Sequence, residues 1–357
     1  MDRPPTMEDV AARAGVSRAL VSLVFRDLPG ASPENRERVR RAAAEIGFRP
    51  DRRASLLGRK RTNLLGVAFG VGHEFHADLL SALYVAADEH KLELVLSGVT
   101  DQRPEQQAVA ELLAFRCDAV LVLGPTLSPA ELERIAAGTP VVVLARAVDA
   151  RGVEVVRTDD ELGARLAVEH LLTLGHRTVL HLDGRRAPGG AERRRGFLAA
   201  MRSAGLPGHA FLAPGGLTEA DGVSAARQFL ADRAPDRTQD RTPDRSSDRT
   251  ADPTPTAVFA FNDQCAIGFL ATVRDAGVRV PEDVSVVGYD DSRLAHASWT
   301  RLTTIGQDTA ALADGAVTRA LARVTPAEQP HEEGATGPVL LPPALVVRAT
   351  TAAPGRD

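Results

Sequence analysis

With 357 residues, 44% hydrophobic and 25% charged, the chain is long enough for a small domain plus one or two larger ones with real cores. Its beginning, MDRPPTMEDV, has no apolar signal region, and no run approaches the roughly 18 apolar residues of a membrane helix, so the expectation is a cytoplasmic protein with no membrane partner. Cys117 and Cys265 are far apart and lack a neighbouring Cys or His at metal-ligand spacing. Neither a disulfide framework, a metal site nor a cofactor is expected. The net charge of −4 conceals an asymmetry: residues 1–62 carry 14 Arg or Lys against 8 Asp or Glu, and the remainder 29 against 39. A cationic front on an acidic body suits a polyanionic partner for the front alone, or else a solvated basic surface.

The first elements in chain order are three short helices. Thr6 can cap the first, with Asp9 reaching back, and Val10, Ala11 and Ala14 share one face. Gly15 ends it, and Val16 and Ser17 complete a short turn. Ser17 can cap a second helix, whose buried side is Leu20, Val21 and Val24. After DLPGAS, Ser32 caps a third helix with Pro33 at its first position and Val39, Ala42, Ala43 and Ile46 inward.

The DVA, AGVS and VS run of this stretch closely resembles the helix-turn-helix headpiece of the LacI/GalR family of bacterial transcription regulators. The resemblance implies that the second helix enters the major groove of operator DNA, with Arg18, Ala19 and Leu23 at base-reading positions. Arg18 can fork onto a guanine, whereas Ala19 and Leu23 offer apolar contact to a thymine methyl. Ser17 and Ser22 fall where phosphates are reached. The next segment, GFRPDRRASLLGRKRTNLLGV, has five basic residues between Arg52 and Arg61 around a short apolar run. On its own it reads as a linker. By resemblance it is the hinge, with Ala54 at the hinge-alanine position and Leu57 as the minor-groove wedge.

From Leu64 onward short β-branched runs, LLGVAF, LELVLS, AVLVLG, PVVVLA, EVVRTD, TVLHLDG, TAVFAF and VSVVGYD, alternate with periodic helical segments. That alternation predicts an α/β core of parallel sheets flanked by helices, in two lobes, with ligand chemistry at the carboxyl ends of the strands. LAVEHLLTLGHRTV, RRRGF, FNDQCAIGFL, PEDVSVVGYDD and LTTIGQD resemble the periplasmic-binding-protein-like core of the same family. The expected organisation is a headpiece over 1–49, a hinge over 50–62 and a two-lobed effector core over 63–350. The lobe boundary is set near 158, the chain returns after 291, and 351–357 form a tail. The resemblance also implies a homodimer on a pseudo-palindromic operator, acting as a repressor.

Position matching to that family places Phe75, Arg193, Asn262 and Asp290 in the effector cleft, with His73, His76, Arg146 and Gln307 along its border. An aromatic face, a guanidinium fork, an amide and a carboxylate together suit a polyhydroxylated, sugar-like ligand. A purine or another small metabolite uses the same groups. Enzymatic readings lack local support. After Gly70 and Gly72 a dinucleotide fingerprint needs a third Gly where Phe75 stands, and adjacent Asp290 and Asp291 at a strand end point apart. A free solute-binding protein without DNA function is the competing class, and the headpiece argues against it. Finally, Ala231 to Thr256 repeats Asp-Arg every four residues with Pro, Ser and Thr between, which predicts a disordered polyampholyte insertion over 231–256.

Overall fold

The computed structural model describes residues 3, 5–48, 61–233, 254–325 and 337–355. The chain divides into two compact units, Met1–Thr62 and Asn63–Asp357. In the first, α1 (Met7–Ala14), α2 (Arg18–Phe25) and α3 (Pro33–Glu45) start where their caps stand. Thr6 and Asp9 form a reciprocal box: Asp9 N donates to Thr6 Oγ1 at 3.4 Å and Thr6 N donates to Asp9 Oδ2 at 2.7 Å. Gly15 closes α1 at φ 64°, a left-handed conformation that glycine adopts without strain. Val10, Ala11, Ala14, Val21, Val24, Val39, Ala42 and Ala43 make the core, with Phe25, Ile46 and Phe48 packed at its edge. Leu20, expected inside, is only half-buried. The inward stripe of an eight-residue helix is narrow, and Val21 and Val24 occupy it. Ala54 and Leu57 of the expected hinge lie outside the described residues.

The described residues of the second unit form two six-stranded sheets. The first is built from β1 (Leu64–Gly70), β2 (Glu93–Val99), β3 (Ala119–Leu123), β4 (Val141–Leu144), β5 (Val153–Thr158) and β11 (Val339–Leu341). Their order is β11-β5-β4-β3-β1-β2. The second is built from β6 (Val179–Asp183), β7 (Ala210–Pro214), β8 (Ala257–Ala260), β9 (Ser285–Asp290), β10 (Thr303–Gly306) and β12 (Ala344–Val346), in the order β12-β10-β9-β8-β6-β7. Among the described residues the pairings are parallel except β10 with β12.

Helices α4 (Glu74–Glu89), α5 (Glu105–Ala114), α6 (Pro129–Ala136) and α11 (Thr309–Val324) cover the first sheet. Helices α7 (Asp160–Thr173), α8 (Gly190–Ser203), α9 (Glu219–Arg233) and α10 (Asp263–Asp275) cover the second. Apolar clusters on both faces of each sheet explain why strands such as AVLVL and VVVL read as continuous hydrophobic runs.

Among the described residues the chain passes between lobes three times: after Thr158, after Gly306 and after Leu341. The return expected after Asp291 therefore comes later. Arg293–His296 forms a short 3-10 turn and β10 still pairs with β9, because Thr304 Oγ1 donates to Asp263 Oδ1 at 2.6 Å and holds the strand in the second sheet. The insertion also needs its boundary corrected. Ala231, Asp232 and Arg233 are the last turn of α9, where Gln228 Nε2 donates to Asp232 Oδ1 at 2.7 Å and Arg233 stacks on Phe229 at 5.1 Å. Thr256 N donates to Thr178 O at 3.2 Å on the far side, while residues 234–253 lie outside the described residues. Among the described residues no helix is long and apolar enough to cross a membrane. Both cysteines are buried and free, with thiols pushed up to about 11 and about 12 by burial.

Candidate functional site

In the headpiece unit, Ser17 Oγ accepts from Leu20 N at 3.2 Å, so the hydroxyl that is to reach a phosphate also starts α2. Val21 and Val24 anchor the helix inward, which turns Arg18 and Ala19 toward solvent. Arg18 Nε lies 3.6 Å from Glu8 Oε1, with both side chains 69% exposed. A pair this exposed gives up its contact at little cost when a stronger partner arrives. Ser22 and Leu23 are half-buried. Leu23 leans toward Gly30, where an added Cβ would meet its Cδ1 at 3.4 Å, so only part of that side chain is presented.

In the core unit an open cleft lies between the lobes, and its walls are the carboxyl ends of parallel strands. The first lobe supplies His73, Phe75 and His76 after β1, Gly124 and Thr126 after β3, and Ala145 after β4. The second supplies Pro188 after β6, Arg193 from α8, Leu217 after β7, Phe261, Asn262 and Gln264 after β8, Asp290 at the end of β9 and Gln307 after β10. Seven of the eight residues expected from the sequence thus line one cavity. Arg146 does not. Ala145 turns into the cleft at φ 57°, and the Arg146 guanidinium donates to Pro125 O instead.

The charged groups are fixed before anything binds. Arg193 is buried: its Nε donates to Asp160 Oδ1 at 2.9 Å, its Nη1 donates to Phe261 O at 2.6 Å, and Nη2 stands 3.7 Å from Asp290 Oδ1. Its guanidinium carbon lies 3.5 Å over the Tyr289 ring. The expected fork is consequently half spent on the protein, and Nη2 is the part nearest the Asp290 carboxylate. Asn262 is similarly committed, since its Oδ1 caps α10 by accepting from Cys265 N at 2.8 Å and its Nδ2 donates to Leu217 O at 3.0 Å. One amide hydrogen and one lone pair remain for a ligand.

Asp290 accepts from Gln307 Nε2 at 2.8 Å, and Gln307 Oε1 accepts from Thr158 Oγ1 at 2.6 Å. The carboxylate in the cleft is thereby tied to two of the strand ends where the chain changes lobes. Burial raises the Asp290 carboxyl to about 7, against the pull of Arg193. Behind it Asp263, raised to about 8 by burial and then by Asp290, accepts from Ser292 N at 2.8 Å and from Thr304 Oγ1. Asp290 and Asp291 have φ of 113° and 55°, left-handed backbone that side chains seldom take. The turn sends the second carboxylate away, to Arg348 Nη2 at 2.6 Å.

On the opposite wall Gly70 N donates to His76 Nδ1 at 3.0 Å, so the ring proton sits on Nε2. Burial holds that imidazole down to about 3, and burial also lowers His73, whose ring lies 4.8 Å away. His76 is a neutral donor. Sequence reasoning missed Asp160, Asp263 and Gln264. Gln264 sits inside the matched FNDQC stretch, and it bridges the lobes: Nε2 donates to Gly72 O at 3.3 Å and Oε1 accepts from Glu74 N at 3.4 Å. Among the described residues no group of His, Cys, Asp and Glu could hold a metal ion.

Comparison with known proteins meets the same division of the chain. Residues 6–51 match the model for bacterial regulatory proteins of the lacI family, 70–239 the model for periplasmic binding proteins and the sugar binding domain of the LacI family, and 168–351 the model for a periplasmic binding protein-like domain. The HTH-type transcriptional regulator CelR of Thermobifida fusca is 32% identical over 320 residues, covering 86% of this chain and 88% of its own. A crystal structure of a LacI transcriptional regulator from a Rhodococcus species is 43% identical with a TM-score of 0.71, covering 81% of this chain and 98% of that one. The lac repressor dimer bound to operator and an anti-inducer is 28% identical with a TM-score of 0.77, covering 98% and 100%.

Proposed function

Because the chain belongs to the LacI/GalR family of transcriptional regulators, we infer that α2 of the headpiece is its operator-reading surface and that the cleft between the lobes is its effector site. In this reading Arg18, Ala19 and Leu23 read bases, Ser17 and Ser22 position the helix on phosphates, and Leu57, with Ala54, wedges the minor groove. The protein works in the cytoplasm as a repressor. It acts as a homodimer, a reading supported by the exposed apolar Tyr84, Val85 and Leu96 on α4 and the edge strand β2. The effector is a sugar-like polyol. The observation that carries this is the convergence of Phe75, His76, Arg193, Asn262, Asp290 and Gln307 on one cavity at the strand ends. Together they offer an aromatic face, a neutral donor, a guanidinium and a carboxylate acceptor.

Operator duplexes enriched from random DNA by the full-length protein provide the test. Asp290→Ala is expected to bind them normally while needing at least about tenfold more effector to respond, since it loses an acceptor worth roughly 1.5–3 kcal/mol. Wild-type effector sensitivity in that variant overturns the assignment of the cleft. Leu57→Ala is expected to show the reverse, with weakened operator binding and unchanged effector affinity.

A further inference from the structure

Taking the cleft as the effector site, we propose that it is built for a neutral polyol and rejects the phosphorylated form of the same molecule. Among the lining residues only Arg193 and Asp290 are formally charged. Arg193 is the one cation there, and two carboxylates already answer it: Asp160 at 2.9 Å and Asp290 at 3.7 Å. The guanidinium thus keeps N–H groups to donate but has no uncompensated charge with which to hold a phosphate. The imidazoles do not make up the deficit. His76 has its proton fixed on Nε2 by Gly70 and both rings are held neutral by burial, so they act as donors without charge.

Helix N-termini are the remaining source of positive potential; at that of α8, whose cap residue Gly189 offers no side chain, the Asp160 carboxylate stands so near that an added Cβ would meet its Oδ1 at 3.0 Å. The α10 terminus is capped by Asn262 and followed by buried Asp263. The α7 terminus is capped by Asp159, with Asp160 and Glu161 in its first turn. The α4 terminus carries Glu74, whose N–H donates to Gln264. A phosphate placed here would meet the Asp290 carboxyl and a single guanidinium already paired with Asp160 behind it. The hydroxyls of an uncharged sugar suit the same groups, donating to Asp290 and accepting from His76 and Arg193.

Thermal unfolding and calorimetric titration of the full-length protein with matched pairs test the proposal: glucose and glucose 6-phosphate, galactose and galactose 1-phosphate, fructose and fructose 1-phosphate, ribose and ribose 5-phosphate. The expected result is a raised transition with at least one free sugar and binding of its phosphate ester at least about tenfold weaker. A phosphate ester that binds as well as its parent overturns the proposal and leaves the effector site standing. If neither member of any pair binds, the polyol reading of the cleft fails and this inference falls with it. Asp290→Asn separates charge from size. It is expected to narrow the preference for the free sugar severalfold, whereas an unchanged ratio would make the rejection steric and overturn the electrostatic account.

Discussion

The two lobes build the same architecture, two six-stranded sheets each covered by helices, yet they equip the cleft in opposite ways. The first lobe brings apolar surface and uncharged rings, chiefly Phe75, His73 and His76. The second brings the charge, and locks it: Arg193 onto Asp160 and Phe261, Asn262 onto Cys265 and Leu217, Asp263 onto Ser292 and Thr304. One lobe is a preorganised polar template and the other a wall that completes it. A ligand can shift such a protein between states only through contacts that differ between them. The template is already held in place by the protein and keeps only part of its hydrogen-bonding capacity, so the differential contacts must come largely from how the first lobe closes onto it.

The sharpest way to break this contrast is to remove the charge at the centre of the template. Arg193→Met keeps the volume and the contact with Tyr289, but it leaves buried Asp160 with only the more distant Arg157, 3.9 Å away, as an ion-pair partner. Breaking a buried pair from one side costs about 3–5 kcal/mol, so urea denaturation is expected to show a loss of that size. On the first lobe His76→Gln removes a neutral ring and is expected to cost less, about 1–3 kcal/mol, through the hydrogen bond from Gly70. Equal losses on the two sides would erase the distinction between template and wall.

The headpiece was legible because its determinants are local. Caps at Thr6, Ser17 and Ser32 and the left-handed Gly15 act within four residues of the helices they bound. The central strands other than β10, whose TTIG is short and half polar, were legible because burial on both faces writes continuous apolar runs. Three of the four edge strands were not. β7 ends in Pro214, and β11 and β12 have three residues each, too short for any period to register. The late crossing after Gly306 depends on Thr304 reaching Asp263 across 41 residues, which no local pattern records. Phe75, Asn262, Asp290 and Gln307 could be matched by position, but the partners that fix them could not. Asp160 follows a lobe crossing and meets Arg193 only in the folded state. Arg146 missed the cleft by one residue because the backbone turns left-handed at Ala145.

A smaller effect follows from the carboxyls of the template. Asp290 and Asp263 titrate near 7 and 8 in the folded protein, above the ordinary value of 3.8, chiefly because burial disfavours their charged forms. The folded chain therefore holds protons that the unfolded chain releases. The stabilisation from protonation is complete below about pH 4 and is lost as pH rises toward 7 and 8, with a slope of up to about 1.4 kcal/mol per pH unit for each proton held. Below about pH 6.5 the histidines held down by burial, His73, His76 and His181 among them, act in the opposite sense, so it is urea midpoints measured at about pH 7, 7.75 and 8.5 that are expected to fall in that order. Asp263→Asn is expected to flatten the trend. A midpoint that rises across this range would contradict the assignment of raised carboxyls.

The smallest expected effect on stability lies at the rim, where the template and the wall touch. Arg293, from the short turn after β9, reaches α4 of the first lobe: its N–H donates to Asp78 Oδ2 at 3.4 Å, and its guanidinium lies 3.1 Å from Asp78 Oδ1 and 3.7 Å from Glu74 Oε2. The Arg293 side chain is 73% exposed, so solvent screens the pair and its contribution to folding is about 0.2–1 kcal/mol. Its position matters more than its strength, because Glu74 and Asp78 belong to the same helix whose first turn presents Phe75 and His76 to the cleft. Arg293→Ala is expected to leave the urea midpoint nearly unchanged while the effector dissociates severalfold faster, as the first lobe loses a tie to the second. Stopped-flow dissociation measured beside equilibrium unfolding separates the two. A large loss of stability with an unchanged off-rate would make Arg293 part of the template's packing, and would remove it from the contact through which the lobes close.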